Sequence, residues 1–178
     1  MTVRLDISAN RQARKWSHRT QIARVLWALC RPLFRLSPRP LWFWRVWLLR
    51  AFGAEVGRDV HIYPTARITM PWNLQIQDDS AIGDAAILYA LGPIHIGARA
   101  TISQYAHLCT GTHDLTDPAR ALIHAPIRIG ADAWVCADAF VGPGIRIGPG
   151  AILGARAVAM KDLPAGTKGI GNPMQVWP

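Results

Sequence analysis

The stretch Ile129–Ala159, IGADAWVCADAFVGPGIRIGPGAILGARAVA, sets an aliphatic or small residue at every sixth position: Ile129, Val135, Val141, Ile147, Leu153 and Ala159. A period of six is sustained neither by a 3.6-residue helix nor by strand alternation alone. It suits a prism-shaped solenoid whose three flat sides each take one hexapeptide. Toward the N-terminus the same ladder continues through Val56, Ile62, Ile68, then Ile76, Ile82, Leu88, then Ile96, Ile102, Leu108. The positions group into five triplets, each one full coil. The steps between triplets are eight, eight, twenty-one and six residues, so every insertion falls at one corner of the prism. Gly follows the aliphatic residue at Val56, Ile82, Ile96, Ile129, Val141, Ile147 and Leu153, where a side chain would crowd the turn. The expectation is a parallel β-helix of about five coils, roughly 24 Å long at one strand spacing per coil, with the ladder as its dry core.

Composition divides the chain at about residue 53. Of 20 Lys and Arg and 11 Asp and Glu, residues 1–53 hold eleven basic side chains against the single acid Asp6, while residues 54–178 are nearly neutral. Five of the eight Trp (Trp16, Trp27, Trp42, Trp44, Trp47) lie in the same basic arm. The arm reads as two or three short helices broken near Pro32, Pro38 and Pro40. In LWFWRVWLLRAFG (Leu41–Gly53), Leu41, Trp44, Leu48 and Ala51 share a stripe that Arg45 and Arg50 interrupt. That run is too short and too charged to span a bilayer. Two roles stay open for it: contact with an anionic headgroup layer, or a cap on the open end of the β-helix or a neighbouring subunit. No nucleic-acid recognition motif accompanies the basic charge. Met1–Asn10 lacks the apolar core of a signal peptide, and Cys30, Cys109 and Cys136 form no paired spacing, which fits a reducing cytoplasm.

The ladder is broken most widely between Leu108 and Ile129, so residues 109–128 form an excursion loop, the part of a rigid scaffold where function concentrates. Two stretches, ISQYAHLCTGTHD (Ile102–Asp114) and IGADAWVCADAFVGPGIRIGPGAILGARAVAMKDLPAGTKGIGNP (Ile129–Pro173), carry a family resemblance. The segment from Val56 to Trp177 resembles the left-handed β-helix of the hexapeptide-repeat acyltransferases, in the branch that contains the colanic-acid-type exopolysaccharide acetyltransferases. The handedness is implied by that resemblance and not by the spacing.

The resemblance implies acetyl transfer from acetyl-CoA, as co-substrate and without a metal, to a saccharide hydroxyl. It carries the general base onto His113 in TGTHD, with Asp114 either orienting the imidazole or forming the turn. It sets Trp134 beside the pantetheine arm, backbone near Ala137 and Ala155 on its amides, and Lys161 near the coenzyme phosphates. Three departures stand out: Ala137 replaces a Ser, Met160 a Thr, and Gln175 an Arg that meets the ribose phosphate in relatives, a task open here to Lys168, Arg156 or another subunit. For the acceptor, LYALGPIH (Leu88–His95) supplies Tyr89 but no carboxylate, and Gln104 and Tyr105 follow on the next coil. With the membrane-seeking arm, this points to a lipid-linked saccharide at the cytoplasmic leaflet. The family further implies a homotrimer with active sites between subunits, His113 coming from one chain and Trp134 from the next.

Three other readings remain at this stage. One is an N-acyltransferase for an amino nucleotide sugar. Another is a zinc enzyme of the β-helix carbonic anhydrase type, using His107, His113 and His124. The third is a non-catalytic trimeric scaffold. His61, His95 and His107 each precede a ladder residue and are expected to point outward; His124 is placed to flank the pocket, and His18 belongs to a solvated face.

Overall fold

In the computed structural model, which describes residues 5–177, the ladder becomes three parallel sheets. Sheet A stacks Glu55–Val56, Leu74–Ile76, Ile94–Ile96, Ile127–Ile129 and Arg146–Ile147. Sheet B stacks His61–Ile62, Ala81–Ile82, Thr101–Ile102, Trp134–Val135, Ile152–Leu153 and Lys168–Ile170, and Gln175–Trp177 closes it antiparallel. Sheet C stacks Arg67–Ile68, Ile87–Tyr89, His107–Cys109, Phe140–Val141 and Val158–Ala159. Ladder residues pair in register from coil to coil, as in Ile76 with Ile96, Ile96 with Ile129, and Ile129 with Ile147. All are buried.

The solenoid has about six turns, one more than the ladder indicates. Leu163 bridges Ile147, Gly169 aligns with Leu153, and buried Met174 fills the end. The last corner step shortens to four residues and a glycine occupies the ladder position, so the aliphatic period stops before the coil does.

A second inward row lies two residues before each ladder position. It is aliphatic on sheet A (Leu74, Ile94, Ile127, Ile145) and mostly alanine on sheet B (Ala100, Ala133, Ala151) and sheet C (Ala66, Ala86, Ala106, Ala139, Ala157). At the A–B and B–C corners the interior is therefore filled mostly by methyl groups.

The glycines after the ladder residues answer to space. A Cβ on Gly97 would stand 2.4 Å from Ala131 N, and one on Gly130 2.4 Å from Pro149 N, both backbone of the next coil. The left-handed turn itself falls two residues later, at Asp79, Arg99 and Asp132 on the A–B corner and at Ala85, Tyr105, Asp138 and Arg156 on the B–C corner.

Three helices precede the prism: α1 (Ile7–Gln12), α2 (His18–Arg35) and α3 (Trp42–Ala51). Pro32 does not break α2 as expected. It sits one turn from the end, where a single amide bond is lost, and the Leu36 amide still reaches the Pro32 carbonyl. Trp27 and Phe34 anchor α2, the Trp27 indole N–H donating to the Ile68 carbonyl at 2.8 Å. In α3 the arginines face the protein. Arg45 is fully buried and donates to the carbonyls of Ile62 (2.5 Å), Pro38 (2.9 Å) and Arg39 (2.6 Å) and to Ser37 Oγ (2.8 Å). Arg50 donates to the carbonyls of Val56 and Gly57. These carbonyls belong to the first coil and its approach, so the α3 arginines cap the prism. Guanidinium groups supply the several donors that such an unpaired sheet end requires.

Candidate active site

The twenty-one-residue step is a β-hairpin rising from the corner between sheets C and A. Gly111–His113 pairs antiparallel with Leu122–His124, placing Gly111 opposite His124 and His113 opposite Leu122. Thr110, fully buried at the root, donates from Oγ1 to the Tyr89 carbonyl at 2.9 Å and accepts from the Gly92 amide at 2.9 Å. Gly111 lets the hairpin lie against its neighbour, because a Cβ there would stand 2.7 Å from Leu91 Cδ1 and 3.3 Å from Tyr89 Cε1. Paired residues of a ladder share a face, so His113 and His124 look the same way as Gly111, with Tyr89 beside its root.

His113 is exposed, and its Nδ1 lies 2.7 Å from the Arg120 carbonyl. A carbonyl only accepts, so in the neutral ring the proton sits on Nδ1 and Nε2 presents a lone pair. That is the tautomer a general base needs. Asp114 is turned away from the imidazole: its Oδ1 accepts from the Thr116 amide at 2.8 Å and hydroxyl at 2.6 Å. Those bonds, the hydroxyl first, hold its carboxyl below the usual range. Of the two roles open to Asp114, this geometry is that of a turn-former.

The remaining sequence-selected residues divide between two regions. Tyr89 shares the corner with His113, and Lys161 lies exposed at the same corner at the end of the fifth coil. Gln104 and Tyr105 form the B–C corner across sheet C, where Tyr105 adopts φ of 60°. Ala137 and Ala155 stack on that B–C corner in successive coils, and the Ala137 carbonyl is taken by the Arg156 amide at 3.0 Å. Trp134 stands half exposed on sheet B, its indole N–H donating to Ser103 Oγ at 2.7 Å. Lys168 follows in the same outward row, in register with Ile152, which is in register with Trp134. Arg156 pairs instead with Asp138 at 3.2 Å.

His107 points out of the prism, as expected, but is wedged edge-on between Tyr89 and Phe140, with Nε2 buried and unpartnered, and burial lowers its pKa. Among the described residues, no group of three or more His, Cys, Asp or Glu side chains converges as metal ligands would.

The chain matches no family profile. It is 45% identical over 150 residues to the colanic acid biosynthesis acetyltransferase WcaF of Escherichia coli K12, covering 84% of this chain and 82% of that protein. The chain belongs to the WcaF family of acetyltransferases. Among solved structures, a maltose O-acetyltransferase from Clostridium difficile 630 superposes with a TM-score of 0.84 at 20% identity, over 99% of this chain and 97% of that one. A hexapeptide-repeat acetyltransferase from Vibrio cholerae, complexed with acetyl coenzyme A, gives 0.84 at 21% identity over 93% and 91%. At those identities the likeness is one of fold.

Two features that set the state of His113 were not legible in the sequence. The Arg120 carbonyl that selects the His113 tautomer is backbone, which no residue pattern reports. Asn10 is the second: it reaches the same carbonyl from more than a hundred residues away. Thr110 carries a fainter signal, as a polar residue standing two positions after a ladder aliphatic.

Proposed function

We propose that the chain moves an acetyl group from acetyl-CoA to a hydroxyl of a saccharide that is a precursor of an exopolysaccharide or surface polysaccharide. The observation that carries the reading is His113 held by the Arg120 carbonyl with Nε2 free, in a chain of the WcaF family. Nε2 takes the proton of the acceptor hydroxyl as its oxygen attacks the thioester carbonyl carbon. The tetrahedral oxyanion collapses, the carbon–sulfur bond breaks, and the imidazolium returns the proton to the departing thiolate. The remaining work is alignment of two bound reactants. Tyr89 and His124 border the base and offer a ring face and polar groups to a sugar; Gln104 and Tyr105 lie too far round the prism to join them within one chain.

The enzyme works as a homotrimer of left-handed prisms. His113 leaves the vertex between sheets C and A, and Trp134 stands on sheet B, the face opposite that vertex. One chain therefore cannot bring both to one acetyl-CoA, and a neighbouring chain can. The outward side chains Ile87, Phe140 and Val158 give sheet C an apolar, half-buried outer surface suited to such packing. On the Trp134 row, Lys168 meets the coenzyme phosphates, and Lys161 approaches them from the neighbouring chain's corner.

The acceptor is lipid-linked and the enzyme sits at the cytoplasmic face of a membrane. No helix among the described residues is long and apolar enough to cross one. However, α2 turns Ile22, Val25, Leu26, Leu29 and Leu33 outward in one exposed stripe, and the arm's arginines supply the cationic flank that anionic lipid attracts. Between α2 and sheet C lies a cleft of about 460 Å³ with Trp27, Phe34 and Ile68 as floor and Arg31, Arg35 and Arg67 around it.

The test is thiol release from acetyl-CoA by wild type and His113→Ala with oligosaccharide acceptors. Acceptor-dependent release that falls about 100-fold or more in the variant is expected. Equal rates would remove His113 from the chemistry.

A further inference from the structure

The N-terminal helix α1 is fastened to the catalytic hairpin. The Asp6 amide donates to the Pro118 carbonyl at 2.9 Å, and the Asn10 side-chain amide donates to the carbonyls of Ala119 at 2.6 Å and Arg120 at 2.9 Å. The Arg120 oxygen is the one that accepts from His113 Nδ1 at 2.7 Å. Lys15 Nζ donates to Asn10 Oδ1 at 2.9 Å, which settles which end of the amide faces the hairpin, since an ammonium has no acceptor to offer.

We propose that Asn10 is a positioning residue for catalysis, fixing the Arg120 carbonyl so that His113 is held in its Nδ1–H tautomer with Nε2 directed at the acceptor. The physical need is specific. In water a histidine side chain prefers the Nε2–H form, which leaves no lone pair on the nitrogen that reaches out of the hairpin. An acceptor at Nδ1 must therefore reverse the preference. That acceptor is a carbonyl in an exposed loop, whose peptide is tied from within the loop by the Ala121 amide on Asp117 Oδ2 at 3.1 Å; fixing its direction against the body of the protein requires that something outside the loop hold it as well. Asn10, half buried under two carbonyls, does so from a helix that contributes nothing to the β-helix core. The basic arm thereby gains a role in the reaction besides capping the prism, and displacement of α1 would turn the site off without touching a reacting group.

The role as a catalytic aid rests on the transferase reading, but its structural half can be measured without any substrate. In protein labelled with ¹⁵N-histidine, the ring-nitrogen shifts of His113 report the tautomer directly. Wild type is expected to show the Nδ1–H form, and Asn10→Ala a mixture. Asn10→Asp, which keeps the shape but sets an acceptor against two carbonyls, is expected to lose that form further. In the transferase assay kcat should fall about tenfold in both variants, with KM for donor and acceptor within about twofold of wild type. A His113 tautomer unchanged in both variants would overturn the proposal, even with reduced turnover, and would leave the transferase reading standing. A changed tautomer in a protein that transfers no acetyl group would instead uphold the coupling and sink the transferase. A fall in kcat for Asn10→Ala that Asn10→Asp restores would also overturn it, because only filling of space would then matter.

Discussion

Asp114 follows His113 in the chain, yet its carboxylate is spent on the Thr116 hydroxyl and amide, while the imidazole takes its partner from the far strand of the hairpin. The expected outcome for Asp114→Ala is a fall in kcat of less than about tenfold, because a turn loosens but the base keeps its tautomer. Steady-state kinetics beside His113→Ala check this, and an equal loss in both would return the carboxylate to the chemistry. His107 makes a separate prediction. Its folded-state pKa lies below the ordinary 6.5, so below that value the unfolded chain binds more protons than the folded one. Stability is then fullest above about pH 6.5 and falls as pH drops, levelling once the buried ring itself titrates. His107→Phe removes both the titration and the orphaned nitrogen. It should raise stability by about 1 kcal/mol near neutrality and flatten the acid slope, as read by thermal melts over a pH series; His95, also held low by burial and by Arg128, keeps part of it.

At the scale of the repeat, each coil makes two different demands that glycine meets in different places. Gly130 is required because the next coil's backbone passes 2.4 Å from where its Cβ would be. Gly150 has φ of 64° and nothing within 4 Å. Gly130→Ala should therefore cost about 3 kcal/mol through overpacking against backbone that cannot yield, whereas Gly150→Ala should cost about 1 kcal/mol of local conformational strain. Denaturant titrations of the two variants compare these directly, and equal costs would refute the division. Of the two buried anchors of helix α2, Trp27 is the larger: it lies between Phe34 and Phe52 and bonds to the Ile68 carbonyl. Trp27→Ala is expected to lose about 4 kcal/mol and to expose α2 to limited proteolysis before the β-helix unfolds.

For the whole molecule, the opposition of His113 and Trp134 across the prism, together with the proposed trimer, predicts complementation. His113→Ala and Trp134→Ala, each weakly active alone at low acetyl-CoA, should regain about a quarter of wild-type activity when refolded together, since a quarter of head-to-tail contacts then pair an intact base with an intact wall. No regain in a mixed trimer would place both residues in sites that single chains complete. The six-residue ladder was enough to determine the parallel prism, its three faces and the corner from which the His113 hairpin leaves, because a side chain that must point inward on every coil repeats along the chain itself. The same logic explains why the sixth turn leaves no mark in the ladder: Gly169 and Met174 complete the coil without renewing the aliphatic period. Only the tertiary structure decided that Arg45 is buried in a cap, that Asp114 serves a turn, and that Asn10 and His113 meet on one carbonyl. Those outcomes depend on which backbone oxygens and amides are left unpaired once the coils have stacked, and unpaired backbone has no letter in a sequence.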